Sequence, residues 1–307
     1  MSDKMFVVVN PVSANKTTKK EWPEFEKKLK ESGYSFDIAF TEYPEHATEL
    51  TRKAINQGYR TIMSVGGDGT MNEVLNGFFD ENGISAEDAR LVVFSRGTGC
   101  DFIKSLGIKK GIEDLLGVLE RNSCKKLDVG RIKFVGRNGS LKTRYFLNVA
   151  DIGIGAETAN RVNMHSKILR GFLSFLIGAV ATIVLYRNKP FNILIDDNMV
   201  LTGRMNSVIV ANGKYFGGGM MVAPEASMED GVFDIITFGD LGKLDLIKSF
   251  PLIYSGKHLS HPKVKLHKGS KVKVTCGRKA LLEIDGELPG SPDAEFEILT
   301  KILNVIA

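Results

Sequence analysis

The pattern of hydrophobic and polar positions divides the 307-residue chain into two stretches of different texture. In the first, up to about residue 127, short β-branched runs lie at residues 5–9, 35–41, 60–65 and 91–95. Between them lie longer helix-like segments at residues 16–32, 46–57 and 72–79, which end at Gly33, at Gly58 and at Asn82-Gly83. Strands that alternate with helices are typical of an α/β layer with a mostly parallel sheet.

Strand-like runs dominate the second stretch. They lie at residues 125–134, 143–149, 191–195, 206–211, 232–238, 271–276 and 280–284. Turn residues such as Asn138-Gly139 and Asp197-Asn198 separate several of them, which predicts a mainly antiparallel β domain. The apolar residues 301–307 need a packing partner. We therefore predict an α/β domain at 1–127, to which residues 300–307 return, and a β-rich domain at 128–299.

One uncharged helix-like segment, residues 171–186, lies within the β domain. At 16 residues it is shorter than the roughly 17 to 25 residues that span a bilayer. A span there would also separate the two halves of a β domain, so we predict a buried core helix. The alternative is a helix that lines an acyl-chain pocket or touches a membrane, with Arg161, Lys167 and Arg170 near anionic head groups.

Composition narrows the class of protein. The chain has 43% hydrophobic and 25% charged residues, which is ordinary for a globular protein, and its net charge of +5 is too small to indicate nucleic acid binding. A mild positive charge suits a phosphorylated ligand or an anionic membrane surface. The three cysteines, Cys100, Cys124 and Cys276, have no metal-ligand spacing, and the start shows no secretory signal. We therefore expect a reduced, cytoplasmic setting.

The clearest candidate for chemistry is the run Val65-Gly66-Gly67-Asp68-Gly69-Thr70-Met71-Asn72-Glu73. Its three glycines let the backbone approach a ligand and adopt positive φ angles. Unpaired N–H groups at the start of the following helix attract phosphate. A carboxylate beside a phosphate is repulsive unless a cation lies between them. We therefore interpret Asp68 as a group on the side of a magnesium ion that accompanies a nucleotide.

Three further polar turns follow predicted strands. They are Asn10-Pro11-Val12-Ser13-Ala14-Asn15, Thr41, and Arg96-Gly97-Thr98-Gly99-Cys100-Asp101. Because ligands of parallel sheets gather at the carboxyl ends of the strands, we predict that these turns and the glycine turn converge on one nucleotide. The alternative is that Asn10-Pro11 only starts a turn and that Thr98 and Asp101 only cap a helix.

Two acidic segments lie in the β domain. Glu225 and Asp230 flank a loop bounded by proline and glycine, which either folds oxygen ligands onto one hard cation or is an ordinary surface turn. In Glu283-Ile284-Asp285-Gly286-Glu287, a strand would place the three carboxylates on one face. Glu287 or Asp285 is then a candidate to orient and deprotonate a hydroxyl that attacks a phosphate, and the alternative is a solvated strand end.

Taken together, these motifs resemble those of the diacylglycerol kinase catalytic-domain family, which includes bacterial lipid kinases and is related to sphingosine and ceramide kinases. The resemblance covers almost the whole chain and lies in the order of the motifs, since Gly-Gly-Asp-Gly alone also occurs in NAD kinases and phosphofructokinases. The matching residues are Asn10-Pro11-x-Ser13, Thr41, Gly66-Gly67-Asp68-Gly69-Thr70, Gly97-Thr98, Asp101-Phe102, Asn212, Gly217-Gly218-Gly219, Pro224, Asp230-Gly231 and Asp285-Gly286-Glu287. The resemblance implies an α/β N-terminal domain of the NAD-kinase and diacylglycerol-kinase type and a mainly antiparallel β C-terminal domain that takes the lipid.

The resemblance also implies an activity and the residues that serve it. The activity is ATP- and Mg²⁺-dependent phosphorylation of a lipid hydroxyl, of diacylglycerol or a related lipid, in a cleft between the domains. The catalytic candidates are Glu287 as proton acceptor, Asp285 beside it, and Asp68. A structural magnesium ion would bind Glu225, the carbonyl of Met228 and Asp230. ATP would contact Asn10, Pro11, Val12, Ser13, Ala14, Thr41, Gly66, Gly67, Asp68, Gly69, Thr70, Met71, Asn72 and Thr98.

The implied partner is a lipid met at the inner face of the membrane, with no nucleic acid; a homodimer is left open. The chain departs from the family pattern at Ala14 in place of a glycine, Ser95-Arg96 in place of a proline turn, Cys100 in place of Asn, and Glu225 in place of Asp. Two alternatives remain. One is a kinase of a soluble acceptor such as NAD or a sugar, and the other is a non-catalytic nucleotide-binding regulator.

Overall fold

The computed structural model describes residues 4–81, 83–97, 99–165, 172–276 and 280–307, without the side chains of residues 163–165 and 172–177. It divides into two compact units: unit 1 holds the residues up to Val129 together with Leu299–Ala307, and unit 2 holds Gly130–Ile298. The helices are α1 (Thr17–Glu31), α2 (His46–Asn56), α3 (Asp68–Gly77), α4 (Asp101–Ser105), α5 (Ile112–Arg121), α6 (Ile154–His165), α7 (Phe172–Leu185) and α8 (Lys243–Ser249), with short 3₁₀ helices at Ala14–Lys16, Pro251–Ser255 and Lys257–Ser260.

The strands of unit 1 include β1 (Met5–Val9), β2 (Phe36–Phe40), β3 (Thr61–Gly66), β4 (Phe79–Asp80), β5 (Gly83–Ile84) and β6 (Arg90–Ser95). Two long strands, β7 (Cys124–Gly136) and β19 (Gly290–Ile306), have residues in both units. The remaining strands are β8 (Leu141–Phe146), β9 (Val149–Gly153), β10 (Lys189–Ile195), β11 (Met199–Met205), β12 (Ser207–Ala211), β13 (Tyr215–Phe216), β14 (Met220–Met221), β15 (Phe233–Phe238), β16 (Val264–Gly269), β17 (Lys271–Cys276) and β18 (Leu282–Ile284).

Unit 1 is built around a parallel sheet with the strand order β2-β1-β3-β6-β19. Strand β1 is a run of valines that is buried on both faces, as is usual where helices cover both sides of a parallel sheet. On one face, Trp22, Phe25 and Leu29 of α1 pack in the same core cluster as Val7 and Val9. Val9 lies beside Phe40 and beside Val65, and Gly66 lies beside Ser95. The segments that follow β1, β2, β3 and β6 therefore emerge at one edge of the sheet.

Unit 2 consists of two antiparallel sheets. One has the order β11-β10-β17-β19, with β7 pairing to β19 and β8, and the other has the order β16-β15-β12-β9-β18. The core contains Phe191, Val272 and Phe296 from the first sheet and Val208 and Phe233 from the second. Strands of the first sheet such as β10 and β17 alternate, so that apolar side chains on one face are buried while polar ones on the other are more exposed. Strands β9, β12 and β15 of the second sheet are instead buried along their whole length.

The structure confirms the predicted fold class, an α/β unit with a parallel sheet followed by an antiparallel β unit. The helix predicted at 72–79 was misplaced, because α3 begins at Asp68 and ends at Gly77. Phe79 instead pairs with Ile84 in the β4–β5 hairpin, so Gly83 belongs to a hairpin and does not end a helix; Asn82 lies outside the described residues. The run predicted as one strand at 143–149 is divided between β8 and β9.

The uncharged segment predicted at 171–186 contains α7, whose 14 residues bury Ala179 and Ile183 and expose Val180 and Val184. It is therefore only partly a core helix. No helix in the described ranges combines the length and apolarity that crossing a membrane requires. Lys167, Arg170 and Gly171 lie outside the described residues.

Candidate active site

The helix α3 begins directly at the end of the parallel sheet in unit 1. Gly67 is its N-cap residue, and no side chain of the described residues caps the helix. The N–H groups of the first helical turn therefore point out of the sheet edge without a side-chain acceptor, as in phosphate-binding helix starts. The predicted contacts Asp68, Gly69 and Thr70 belong to the first turn of α3 and do not precede it.

The turn after β1 is tied to this helix. The side-chain amide of Asn10 donates to Thr70 Oγ1 at 2.9 Å, and the Asn10 backbone N–H donates to the Val65 carbonyl at 2.9 Å. Within the turn, the Asn10 side-chain oxygen accepts from the Val12 N–H at 3.1 Å, and the Ser13 hydroxyl bonds the Asn10 carbonyl at 2.8 Å. The structure thus brings the Asn10 turn and the start of α3 together.

The remaining predicted nucleotide contacts are distributed around the same sheet edge. Thr41 follows β2, where its N–H donates to the Val9 carbonyl at 2.9 Å. Met71 and Asn72 are buried in α3, where Asn72 Oδ1 accepts a hydrogen bond from the Asn76 side-chain amide at 3.2 Å. Val12 is 62% exposed beside Pro11 in the Asn10 turn. Thr98 lies outside the described residues.

Ala14, which replaces a glycine of the family pattern, has a left-handed backbone conformation with φ 51°. The next two residues, Asn15 and Lys16, also have positive φ values of 55° and 71°. Each such non-glycine residue is strained relative to glycine, since its Cβ crowds the following carbonyl. Cys100 is a second case at φ 55°, a conformation that asparagine tolerates better than cysteine.

Asp68 joins the glycine turn to the segment after β6. Its carboxylate accepts hydrogen bonds from the backbone around α4, with the Phe102 N–H at 3.4 Å from Oδ1. Burial raises the pKa of Asp68, and the hydrogen bonds from the Phe102, Cys100 and Asp101 N–H groups oppose this shift. The two glycine segments also touch, because a Cβ on Gly97 would lie 2.8 Å from Gly67 Cα. Through these contacts, Asp68 holds the glycine turn and the segment after β6 together. The sequence prediction, which placed Asp68 beside a magnesium ion, did not include this role.

In unit 2, the acidic segment at 283–287 is a tight hairpin turn. Strand β18 ends at Ile284, and the backbones of Ile284 and Glu287 exchange hydrogen bonds of 2.8 and 2.9 Å. Asp285 and Gly286 between them have φ values of 46° and 93°, which is the pattern of a two-residue turn with an Asp-Gly sequence. The expectation that Glu283, Asp285 and Glu287 share one strand face is therefore wrong, because the chain reverses at Asp285.

The three carboxylates of this turn have different surroundings. Asp285 is 8% exposed and accepts the N–H groups of Leu147, Asn148 and Val149 at 3.0 to 3.1 Å. Glu283 is buried and accepts the Gly286 N–H, which closes the turn. Glu287 is exposed. Of the three, Glu287 is the carboxylate that is exposed to solvent.

An apolar cavity of about 160 Å³ lies in unit 2 beside this turn. Glu283 and Gly286 form part of its wall, and helices α6, α7 and α8 contribute residues such as Thr158, Ile183 and Leu246. Sequence reasoning raised an acyl-chain pocket only as an alternative for the uncharged helix. It missed the parts that α6, α8 and the sheet contribute, because those residues are far apart in the chain.

Sequence reasoning also missed Asp151, which is fully buried in the wall of this cavity. Its carboxylate accepts the Ala156 N–H at 2.6 Å and a hydrogen bond from the Ser207 hydroxyl. Burial raises the pKa of Asp151 to about 6, although these hydrogen bonds act in the opposite direction. The signal in the sequence was a lone acidic residue in the apolar run Val149–Gly153.

The acidic loop that contains Glu225, Met228 and Asp230 was predicted to bind a structural magnesium ion. Glu225 is exposed, and Asp230 Oδ1 accepts the Val232 N–H at 3.3 Å while Oδ2 lies 3.6 Å from the Lys268 ammonium. No three His, Cys, Asp or Glu side chains converge to hold a metal ion within the part of the chain that the structure describes. The structural magnesium site therefore stays a prediction, and the contacts of Asp230 do not favour it.

Comparisons with protein families agree with the two units. A model of the diacylglycerol kinase catalytic domain matches residues 4–132. A model of the YegS C-terminal NAD kinase beta sandwich-like domain matches residues 148–307. Together they place the chain among kinases with an α/β unit followed by a β-sandwich-like unit. The chain belongs to the diacylglycerol kinase catalytic-domain family.

Individual relatives match over nearly the full chain. A diacylglycerol kinase of Bacillus subtilis (strain 168) is 27% identical over 306 residues, which cover 98% of this chain and 95% of that protein. A diacylglycerol kinase of Staphylococcus aureus (strain JH9) is also 27% identical, over 98% of this chain and 91% of its own length. Among solved structures, a diacylglycerol kinase from Bacillus anthracis has a TM-score of 0.76 at 21% identity, with 99% of this chain and 96% of that chain covered. Yeast NADH kinase has the same fold type, with a TM-score of 0.53 at 12% identity, over 98% of this chain and 82% of that one.

Proposed function

We propose that this chain is an ATP- and Mg²⁺-dependent kinase that phosphorylates a hydroxyl group of a lipid, either diacylglycerol or a related lipid. The observation that carries the lipid part is the apolar cavity of unit 2, whose wall includes Gly286, the neighbour of the exposed carboxylate of Glu287. An acceptor such as NAD or a sugar needs several polar partners in its site, whereas an acyl chain needs an apolar wall. The cavity therefore favours a lipid over a soluble acceptor.

The nucleotide side of the proposal is supported by the edge of the parallel sheet in unit 1. The uncapped start of α3 offers backbone N–H donors to phosphate oxygens, and the Asn10 turn is fixed beside it through Thr70. We assign ATP to this edge. We assign Asp68 to the positioning of the two glycine segments, because its carboxylate accepts backbone N–H groups of the α4 region.

Glu287 serves as the proton acceptor in the proposed reaction. As the lipid hydroxyl oxygen forms a bond to the γ-phosphorus of ATP, the bond from that phosphorus to the β–γ bridging oxygen breaks and ADP leaves. The hydroxyl proton passes to the Glu287 carboxylate. Asp285 has its oxygens engaged by three backbone N–H groups, so we give it the task of fixing the turn that carries Glu287.

Mg²⁺ enters the proposal as the ion that accompanies ATP, where it neutralises phosphate charge. A second ion in the acidic loop is not needed for the reaction as proposed. The loop already has an ammonium group beside Asp230.

The lipid would be taken up at a membrane surface. Helices α7 and α8 both line the cavity, and both also expose aliphatic side chains: Val180 and Val184 on α7, and Leu244 and Ile247 on α8. Basic residues near them, such as Arg187 and Lys248, suit anionic head groups. Contact of this surface with the inner face of the membrane would let an acyl chain pass into the cavity.

The experiment that tests this function compares phosphate acceptors and uses a variant in which the cavity is smaller. Phosphate transfer from ATP is measured to diacylglycerol in mixed micelles, to NAD and to a sugar. The variant Ala159→Phe places a ring in the cavity wall, and Asn160→Phe is the control because Asn160 is the next residue of α6 and does not line the cavity. We expect transfer to the lipid alone, with kcat/KM for the lipid lowered at least about tenfold by Ala159→Phe. Transfer to NAD or a sugar but not to the lipid would contradict the proposal.

A further inference from the structure

One lysine in unit 2 contacts two acidic side chains, the buried Asp234 and the exposed Asp230. Asp234 on β15 and Lys268 on β16 are directly opposite each other in the antiparallel ladder. The Lys268 ammonium lies 3.1 Å from Asp234 Oδ1 and 3.6 Å from Asp230 Oδ2, so one cation joins the strand to the acidic loop. The Asp234 side chain is only 1% exposed, whereas that of Lys268 is 43% exposed.

Burial of the charged Asp234 carboxylate is energetically unfavourable unless a positive charge lies near it. Burial raises the pKa of its carboxyl group, the negative charges of Asp230 and Glu225 act in the same direction, and the Lys268 ammonium opposes both. Asp234 Oδ2 is buried, and it has no hydrogen-bond partner among the described residues. Stabilisation of this carboxylate therefore depends on Lys268, whose own pKa is raised, first of all by its hydrogen bond to Asp234.

We propose that the Lys268 ammonium is the built-in cation of the acidic loop and takes the place that the family resemblance gives to a structural magnesium ion. A divalent ion at Asp230 would meet the Lys268 charge at close range, and like charges repel strongly where solvent is partly excluded. Since Lys268 already bridges Asp230 and Asp234, the loop is held to the sheet by the chain itself. Removing the ammonium leaves two facing carboxylates, which is the arrangement that recruits a hard cation.

The test measures unfolding of the full chain without nucleotide, so it does not depend on the proposed kinase activity. Urea unfolding of the wild type, Lys268→Met and Lys265→Met is followed in EDTA and in millimolar MgCl₂. Lys265 is the matched control, because it is an exposed lysine on the same strand, three residues earlier. Protection of the backbone amides of residues 230–234 from hydrogen exchange reports on the loop itself.

We expect the wild type and Lys265→Met to unfold at the same urea concentration in both buffers. Lys268→Met should lose about tenfold to a hundredfold in its folding equilibrium constant in EDTA, because a buried carboxylate loses its partner, and MgCl₂ should restore part of the loss. A wild-type midpoint that falls in EDTA and recovers with MgCl₂ would overturn the proposal, as would a Lys268→Met protein no less stable than the control or one that magnesium does not rescue. If Lys268→Met does not fold, the proposal is tested by urea unfolding of the wild type and of Lys268→Arg in EDTA and in MgCl₂. The arginine variant keeps the positive charge, so its stability should be as insensitive to EDTA as that of the wild type.

Discussion

Asp285 and Glu287 lie two residues apart, and the structure gives them opposite roles. The Asp285 carboxylate is 8% exposed and accepts three backbone N–H groups, of Leu147, Asn148 and Val149. In Asp285→Asn an NH₂ group replaces one of the two carboxylate oxygens that accept these hydrogen bonds. At least one of the three N–H groups therefore loses its acceptor. A hydrogen bond to a charged group contributes about 1.5 to 3 kcal/mol, and a buried donor left without a partner costs about 1 to 3 kcal/mol. We therefore expect Asp285→Asn to lower the free energy of unfolding by about 2 to 4 kcal/mol.

Glu287→Gln is the matched change on the exposed side of the same turn. Because the Glu287 side chain faces solvent, its replacement should alter the free energy of unfolding by no more than about 0.5 kcal/mol. Its loss as proton acceptor should lower kcat for phosphate transfer by about 10² to 10⁴. Equilibrium urea unfolding and initial rates on both purified variants measure the two effects. An Asp285→Asn protein that unfolds like the wild type but transfers no phosphate would refute this division of roles.

Two further predictions concern strain and burial. Ala14→Gly should raise the free energy of unfolding by about 0.5 to 1 kcal/mol, because glycine adopts the φ of 51° without strain; a loss of stability in urea would contradict the left-handed turn. Asp151 has a pKa of about 6 in the folded chain against the ordinary 3.8, so its contribution to stability is fully present below about pH 4 and is lost as the pH rises through about 6. The difference of the two pKa values corresponds to about 3 kcal/mol. Asp151→Asn should lack this loss, so thermal or urea unfolding from pH 4 to pH 7 should show a flatter profile than the wild type, and parallel profiles would refute the assignment.

The elements with the strongest local signals were predictable from the sequence. Strand β1 matches the predicted 5–9 because five apolar residues in a row, mostly valine, have no competing structure, and α2 begins at the predicted His46. The start of α3 was misplaced because Asp68 and Gly69 have poor helix propensity. In the structure these residues are helical because α3 packs against the sheet with most of its residues buried. The Asp285-Gly286 turn was mistaken for a strand although Asp-Gly is a strong hairpin signal, because the alternating acidic residues also fit a strand face.

What the sequence could not provide were contacts between distant residues. The three N–H donors to Asp285 come from residues 147–149, more than 130 positions earlier. Lys268 meets Asp234 only because β15 and β16 pair in one particular register. The same holds for the cavity, whose wall is drawn from separate helices and strands of unit 2. Short sequence motifs indicated which segments contain candidate functional residues. Only the fold shows that the Asp285 carboxylate is hydrogen-bonded to the backbone and that the Glu287 carboxylate is exposed.

The measurement that tests the central claim most directly is transfer of labelled phosphate from ATP, with Mg²⁺, into a total lipid extract of the source cells. The wild type and Glu287→Gln are run side by side, and mass spectrometry identifies any labelled lipid. The account predicts a labelled phospholipid in the wild-type reaction and a loss of at least about a hundredfold in its rate with Glu287→Gln. Absence of any labelled lipid in the wild-type reaction, or an equal yield from Glu287→Gln, would contradict it.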